Sequence, residues 1–135
     1  MAKKNGLGAT LSVDDSGGTA RAISNDVLSL SVSTPRSMQD VTGIDKSAME
    51  RLLTLVDGKM DYAVVFNDTA NTGSHNVLKT VPSSAVNRTH TYAVQGVTLA
   101  MEMVIGDYPL SRAADGALTA SISAQLADGA VPTWA

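Results

Sequence analysis

Residues 97–126, VTLAMEMVIGDYPLSRAADGALTASISAQL, carry the clearest structural signal in the chain. Val97, Leu99, Met101, Met103 and Ile105 alternate with Thr98, Ala100, Glu102 and Val104. Leu118, Ala120, Ile122, Ala124 and Leu126 alternate with Thr119, Ser121, Ser123 and Gln125. A period of two puts one set of side chains on each face of an extended strand, so both runs read as half-buried strands. Between them, Ala114-Asp115-Gly116 is a tight-turn signal of the Asp-Gly type.

The same grammar extends toward the N-terminus. Leu7, Ala9, Leu11 and Val13 alternate with Gly8, Thr10 and Ser12, and Asp14-Asp15-Ser16-Gly17-Gly18 then supplies a turn and a return strand over 19–23. After a second turn at 24–26, Leu28, Leu30 and Val32 occupy one face and Ser29, Ser31 and Ser33 the other. Further strands are expected over 59–66 and 88–95. Two helices are expected. In the first, Ser47-Ala48-Met49-Glu50 fits a capping box, and Ile44, Ala48, Met49, Leu52, Leu53 and Val56 fall at helical spacing before Asp57-Gly58. The second runs from Ser74 to Val81 and is stopped by Pro82. The expected fold is mainly β, a β-sandwich or barrel with one or two short α-helices. Three stretches carry no periodicity: an N-terminal arm (1–6), a long inter-strand loop (34–46) and a C-terminal tail (127–135).

The composition narrows the function. The 135 residues form a single domain by length. Ala, Ser, Thr and Gly fill 56 of the 135 positions, whereas aromatic residues make up only 4%. Side chains that bury much surface are scarce, so such a core gains stability from neighbouring copies. The absence of Cys excludes disulfide scaffolds, thiolate metal sites and Cys nucleophiles. No apolar run approaches the ~20 residues of a membrane-spanning helix. Met1 to Gly6 lacks a signal-peptide core, which predicts synthesis in a cytoplasm. The net charge is −3 and the ten basic residues are scattered, unlike the basic stripe of a nucleic-acid grip.

No catalytic constellation emerges, so the chain is not expected to be an enzyme or to hold a cofactor or metal. His75 and His90 are the only histidines, and neither has carboxylates at metal-ligand spacing. The acidic turn at 14–18 lacks the alternate-residue carboxylates of a calcium loop. Gly6-Leu7-Gly8 precedes a strand and does not extend to a dinucleotide fingerprint.

Read in order, GLGATLSVDDSGGTARAISNDVLSLSVSTPR (6–36), DVTGIDKSAMERLL (40–53), VVFNDTANTGSHNVLKTVPSS (64–84) and GDYPLSRAADGALTASISAQLADGAVPTW (106–134) resemble the major tail tube proteins of long-tailed phages with non-contractile, siphovirus-type tails. The resemblance is strongest to those infecting actinobacteria. Its most specific block is Tyr108-Pro109-Leu110, Arg112, Asp115-Gly116, Asp128-Gly129 and Pro132-Thr133-Trp134.

That resemblance implies a β-sandwich-like subunit, six copies to a ring, and rings stacked into a hollow virion tail tube. Strands of the six copies would join edge to edge around the lumen. A tape measure protein would fill the lumen during assembly, a tail terminator and baseplate or tail-tip proteins would sit at the ends, and DNA would pass through without specific binding. Six copies at −3 give 6 × (−3) = −18 per ring, a field that repels phosphate. On this expectation Asp26, Asp61 and Glu102, read at strand starts or outward positions, are candidate lumen carboxylates; otherwise they are outer-surface charges. Thr34, Pro35, Arg36, Asp40 and Asp45 of the long loop are candidate ring-stacking residues. Trp134 is the candidate anchor of the tail, on its own core or on a neighbour. Tyr108 and Arg112 lie at a subunit seam or finish a strand. The competing readings are another small virion component, a tail terminator or head-decoration protein, and a stand-alone β-sandwich binding module.

Overall fold

The computed structural model describes residues 3–135. Ten strands and one short helix follow in the order β1 (Thr10–Asp14), β2 (Ala20–Ala22), β3 (Val27–Ser33), β4 (Arg36–Asp40), β5 (Arg51–Val56), β6 (Lys59–Val65), α1 (Ser74–Leu78), β7 (Arg88–Val94), β8 (Val97–Ile105), β9 (Leu110–Arg112) and β10 (Leu118–Leu126). A single 3-10 turn, Ser24–Asp26, leads into β3.

Eight strands form one antiparallel sheet in the order β2-β1-β7-β8-β10-β6-β3, with β9 also on β10. The sheet folds over at β10. One edge of β10 pairs with β6 along most of its length, while the other is shared between β9 (Leu118 to Ala120) and β8 (Ala124 to Leu126). The result is a sandwich. A front layer runs β3-β6-β10-β9, and a back layer runs β2-β1-β7-β8. Met60, Tyr62, Val64, Ala120, Ile122 and Ala124 of the front layer form one buried cluster with Leu11, Val13, Leu99, Met101 and Met103 of the back layer. These are the inward members of the alternations in the sequence, and removing them from water drives the two layers together. Val77 and Leu78 of α1 join the cluster, at the far end of β6 from its start at Lys59.

The Asp14–Gly18 turn forms as expected. Asp15 Oδ1 accepts the backbone N–H groups of Gly17 and Thr19 at 2.9 and 3.0 Å, and Asp15 Oδ2 takes the Arg21 guanidinium at 3.0 Å. These bonds, Thr19 first, hold the Asp15 carboxyl below its ordinary range.

Two expectations are corrected. Residues 34–46 are not simply a loop, because Arg36–Asp40 is a strand, and the expected helix behind Ser47 is absent, because Arg51–Val56 is the strand that pairs with it. An amphipathic helix needs a body to bury its apolar stripe against, and here the segment projects away from the core. The Glu50 backbone does not turn into a helix; its N–H takes the Thr42 hydroxyl at 2.8 Å and its carbonyl accepts from Val41 N–H at 2.9 Å. The second helix is present but shorter than expected, ending at Leu78, with turns continuing to Ser84.

Candidate assembly surfaces

The front layer presents an outward face of small polar side chains. Inward residues of β3, β6 and β10 fix the opposite parity, so Ser29, Ser31, Asp61, Ala63, Ser121 and Ser123 share that face. Cross-strand rows run Ser29-Ala63-Ser121 and Ser31-Asp61-Ser123. Asp61 accepts from the Ser123 hydroxyl at 2.8 Å and lies 3.5 Å from Lys59 Nζ. These short residues line an open concavity of about 390 Å³ on that face.

The edges of the two layers differ. β3 has one strand partner, β6, and β9 has one, β10, so the front layer is open on both sides. The back layer is covered along β8 beyond the point where β10 diverges. There the tail returns: Ala135 N–H donates to the Thr98 carbonyl and Thr98 N–H to the Ala135 carbonyl, both at 2.8 Å, while Trp134 bridges Leu99. The Trp134 ring lies edge-on to Tyr92 of the same chain at 6.4 Å, and it stays 49% exposed.

β4 and β5 form a separate two-stranded arm. It continues the β3–β6 ribbon past a break at Thr34-Pro35 and Asp57-Gly58, bridged by Asp57 N–H on the Pro35 carbonyl at 2.8 Å. Gly58 sits at the root, where an added Cβ would lie 2.8 Å from Met101 Sδ and 3.6 Å from Pro132 Cγ. Met38, Ile44, Met49, Leu52, Leu53 and Leu55 are all exposed, Leu55 at 83%. An isolated two-stranded ribbon is marginal in water, and so much exposed apolar surface marks a contact site.

The sequence-derived candidates separate in space. Thr34 and Pro35 lie at the arm's root, Arg36 and Asp40 on β4, and Asp45 near the tip, where Lys46 pairs with it at 3.8 Å. Arg36 does not pair with either aspartate; it donates to the Thr54 carbonyl at 3.1 Å. Asp40 accepts the hydroxyl and N–H of Thr42, which lowers its pKa. The three lumen candidates do not share a wall. Asp61 lies on the outward front face. Glu102 lies on the outward back face, accepting from the Thr89 hydroxyl at 2.6 Å. Asp26 is not outward at all: it is 3% exposed and accepts Asn67 Nδ2 at 3.0 Å and Ser74 N–H at 2.9 Å. A buried carboxylate needs such donors, and this one serves the free N–H at the start of α1. The Ser74 hydroxyl donates to the Val65 carbonyl. Gly73 beside it has no room for a side chain, since an added Cβ would lie 2.4 Å from the Asn67 carbonyl oxygen.

Neither histidine is arranged for chemistry. His75 packs between Phe66 and Tyr108, with Nδ1 3.1 Å from the Tyr108 hydroxyl. His90 is fully buried between the layers. Its Nδ1 faces the Arg88 carbonyl at 3.0 Å, so that nitrogen carries the proton, and Nε2 accepts from the Tyr62 hydroxyl at 3.0 Å. Burial pushes the His90 pKa down to about 4. Arg88, also buried, donates to the Asp14 and Val77 carbonyls at 2.9 and 3.0 Å and to Thr80 at 2.8 Å, tying β1, α1 and β7 together. Nothing in the sequence pointed to this knot, because a lone Arg at the first position of a strand reads as a surface charge. Among the described residues no group of three or more His, Asp or Glu side chains could hold a metal ion.

No family model and no curated protein matches the sequence. Solved structures do match in fold. One is a chain of the virion of a native gene transfer agent particle, with a TM-score of 0.74 at 12% identity over 98% of this chain and 99% of that one. Another is a chain of the tail of an empty gene transfer agent particle, obtained by helical refinement with C6 symmetry, with a TM-score of 0.72 at 15% identity over 98% and 99%. The shared architecture extends essentially end to end in both chains.

Proposed function

We propose that this chain is the repeating subunit of a phage-type tail tube: six copies close a ring, and stacked rings make the hollow conduit of a virion tail. The observation that carries the reading is the four-stranded front layer with both edges free, in a chain whose fold matches that of a six-fold symmetric tail chain from end to end. Free edges are a liability in a monomer and are removed when a cyclic assembly pairs them. The back layer is the poorer candidate for closing a ring, since the tail already occupies the start of β8 and only the three-residue β2 edge is free.

With the front layer as the inner wall, the lumen is lined by Ser29, Ser31, Ser121 and Ser123, with Asp61 the wall's carboxylate among the three candidates. Short hydroxyl side chains offer no deep grip, and Lys59, 3.5 Å from Asp61 on the same face, is balanced by it, so the wall presents no basic stripe to hold the phosphate backbone and DNA slides through. Before ejection the lumen holds a tape measure protein, and a terminator and tail-tip proteins close the ends. The arm extends the strands that form the wall, so it leaves the ring roughly along the strand direction and reaches the next ring with its exposed Met and Leu side chains. A non-contractile, siphovirus-type tail follows from the resemblance of the sequence.

Negative-stain microscopy of the purified protein tests this. Long tubes of stacked rings are the expected result. Isolated rings would favour a terminator or head-decoration component, and monomers at every concentration would favour a stand-alone binding module.

A further inference from the structure

The two free edges of the front layer are complementary. Beside β3 runs a groove of about 370 Å³, with Leu7, Ala9, Leu11, Val27, Leu30 and Tyr92 among its lining and no charged side chain in it. One wall is the free edge of β3. The other is the segment leading into β1, whose backbone meets Ile23 and Ser24 only at Leu11. At the opposite edge of the layer, Leu110 of β9 pairs with the buried Ala120 and so faces the inner side, yet it is 42% exposed. An inward-facing leucine left partly uncovered stands at one edge, and an uncharged groove lined by Leu, Val and Tyr side chains together with Thr10, Ser24 and Ser29 stands at the other.

Strand direction agrees. β3, β6, β10 and β9 are successively antiparallel, so β3 and β9 run oppositely within a copy. Rotation about a ring axis preserves each strand's sense along that axis, so the β9 strand of one copy meets the β3 edge of the next in antiparallel orientation. We propose that β9 adds to the free edge of β3 in the adjacent copy and that Leu110 enters the groove there, clamped between the front layer and residues 6–10 of the receiving copy. The parity is consistent, since Leu110 lies on the inner side with Leu30, and Ser111 lies on the outer side with Ser29 and Ser31. The occupant is a second copy of this chain, because the missing strand and the exposed leucine are both supplied by the chain itself. The inference rests on the ring reading above.

The chain has no cysteine, so introduced thiols report cleanly. Within one copy β3 and β9 are three strand spacings apart, about 14 Å, beyond the ~7 Å that a disulfide spans between Cα atoms. Any bond between them must join two copies. Tubes of Ser29→Cys/Ser111→Cys and of Ser31→Cys/Ser111→Cys, oxidised and run without reductant, are expected to give in at least one case a ladder ending at six linked chains, which single variants do not give. Normal tubes with no linked species in either double variant would overturn the seam while leaving the tube reading intact. A wild-type chain that forms neither rings nor tubes would overturn both. Independently, Leu110→Asp is expected to leave the far-ultraviolet dichroism unchanged and to raise the concentration needed for assembly by roughly tenfold or more, with Leu110→Met close to wild type. Unimpaired assembly of Leu110→Asp would overturn the proposal.

Discussion

Asp26 and Asp61 are the same side chain in opposite circumstances, and the difference is measurable. Asp26 is buried and accepts three donor contacts, whereas Asp61 sits on an open sheet face. Asp26→Lys puts an unpaired cation among the donors that served the carboxylate, and a loss of roughly 3 kcal/mol or more in chemical denaturation is expected. Asp61→Lys is expected to stay within about 1 kcal/mol of wild type, since exposed pairs such as Lys59–Asp61 contribute little. His90 supplies a pH dependence. Its folded pKa, about 4, lies below the ordinary 6.5, so between those values the unfolded chain binds a proton that the native core refuses. The stabilisation is complete above about pH 6.5 and is lost as pH falls through the window, reaching roughly 3 kcal/mol. Protonation would place a second cation near buried Arg88, partly offset by Asp14. Urea denaturation of the unassembled subunit at pH 7 and 4.5 checks this, and His90→Gln is expected to flatten the profile. Asp15 and Asp40, whose carboxyl pKa values are lowered from 3.8, lose their contribution only below this window. None of these buried polar residues was legible in the sequence, because Asp26, Arg88 and His90 are buried by contacts with segments 41, 74 and 28 residues away.

Among the elements, the long alternating strands were legible and the arm was not. β8 and β10 bury every second side chain, and that burial leaves a period of two in the sequence. The arm buries almost nothing within the subunit, so no period is imposed on it. Its leucines fell by chance at helical spacing, and the partner strand RSMQD carries no apolar alternation. The same independence makes the arm removable. Asp57 N–H already bonds the Pro35 carbonyl, so residues 36–56 can be replaced by a two-residue Asn-Gly turn. The shortened subunit is expected to melt within a few degrees of wild type and to form no stacked tubes. Normal tubes from it would remove the arm from the stacking contact.

For the whole molecule, the scarcity of aromatics and the 56 small residues acquire a specific meaning. The core is a thin layer of Leu, Ile, Val, Met and Ala with Tyr62 between two sheets, and the outward face of the front layer carries Ser29, Ser31, Ala63, Ser121 and Ser123, short enough to pack closely or to line a channel. The β-rich sandwich could be read from the sequence. Which layer is free at both edges and which only along β2 could not, because that depends on where the last residues of the chain return, and a single Trp at position 134 points equally to its own core or to a neighbour. In the proposed assembly the open front layer is the inner wall of a six-fold ring. Cryo-electron microscopy of tubes formed by this chain, averaged along the axis and traced at the level of strands, tests it most directly. The expected map has six copies per ring around a channel lined by β3, β6, β10 and β9, with Ser29, Ser31 and Ser123 facing the lumen. A channel lined by β1, β7 and β8, or rings of another copy number, would contradict it.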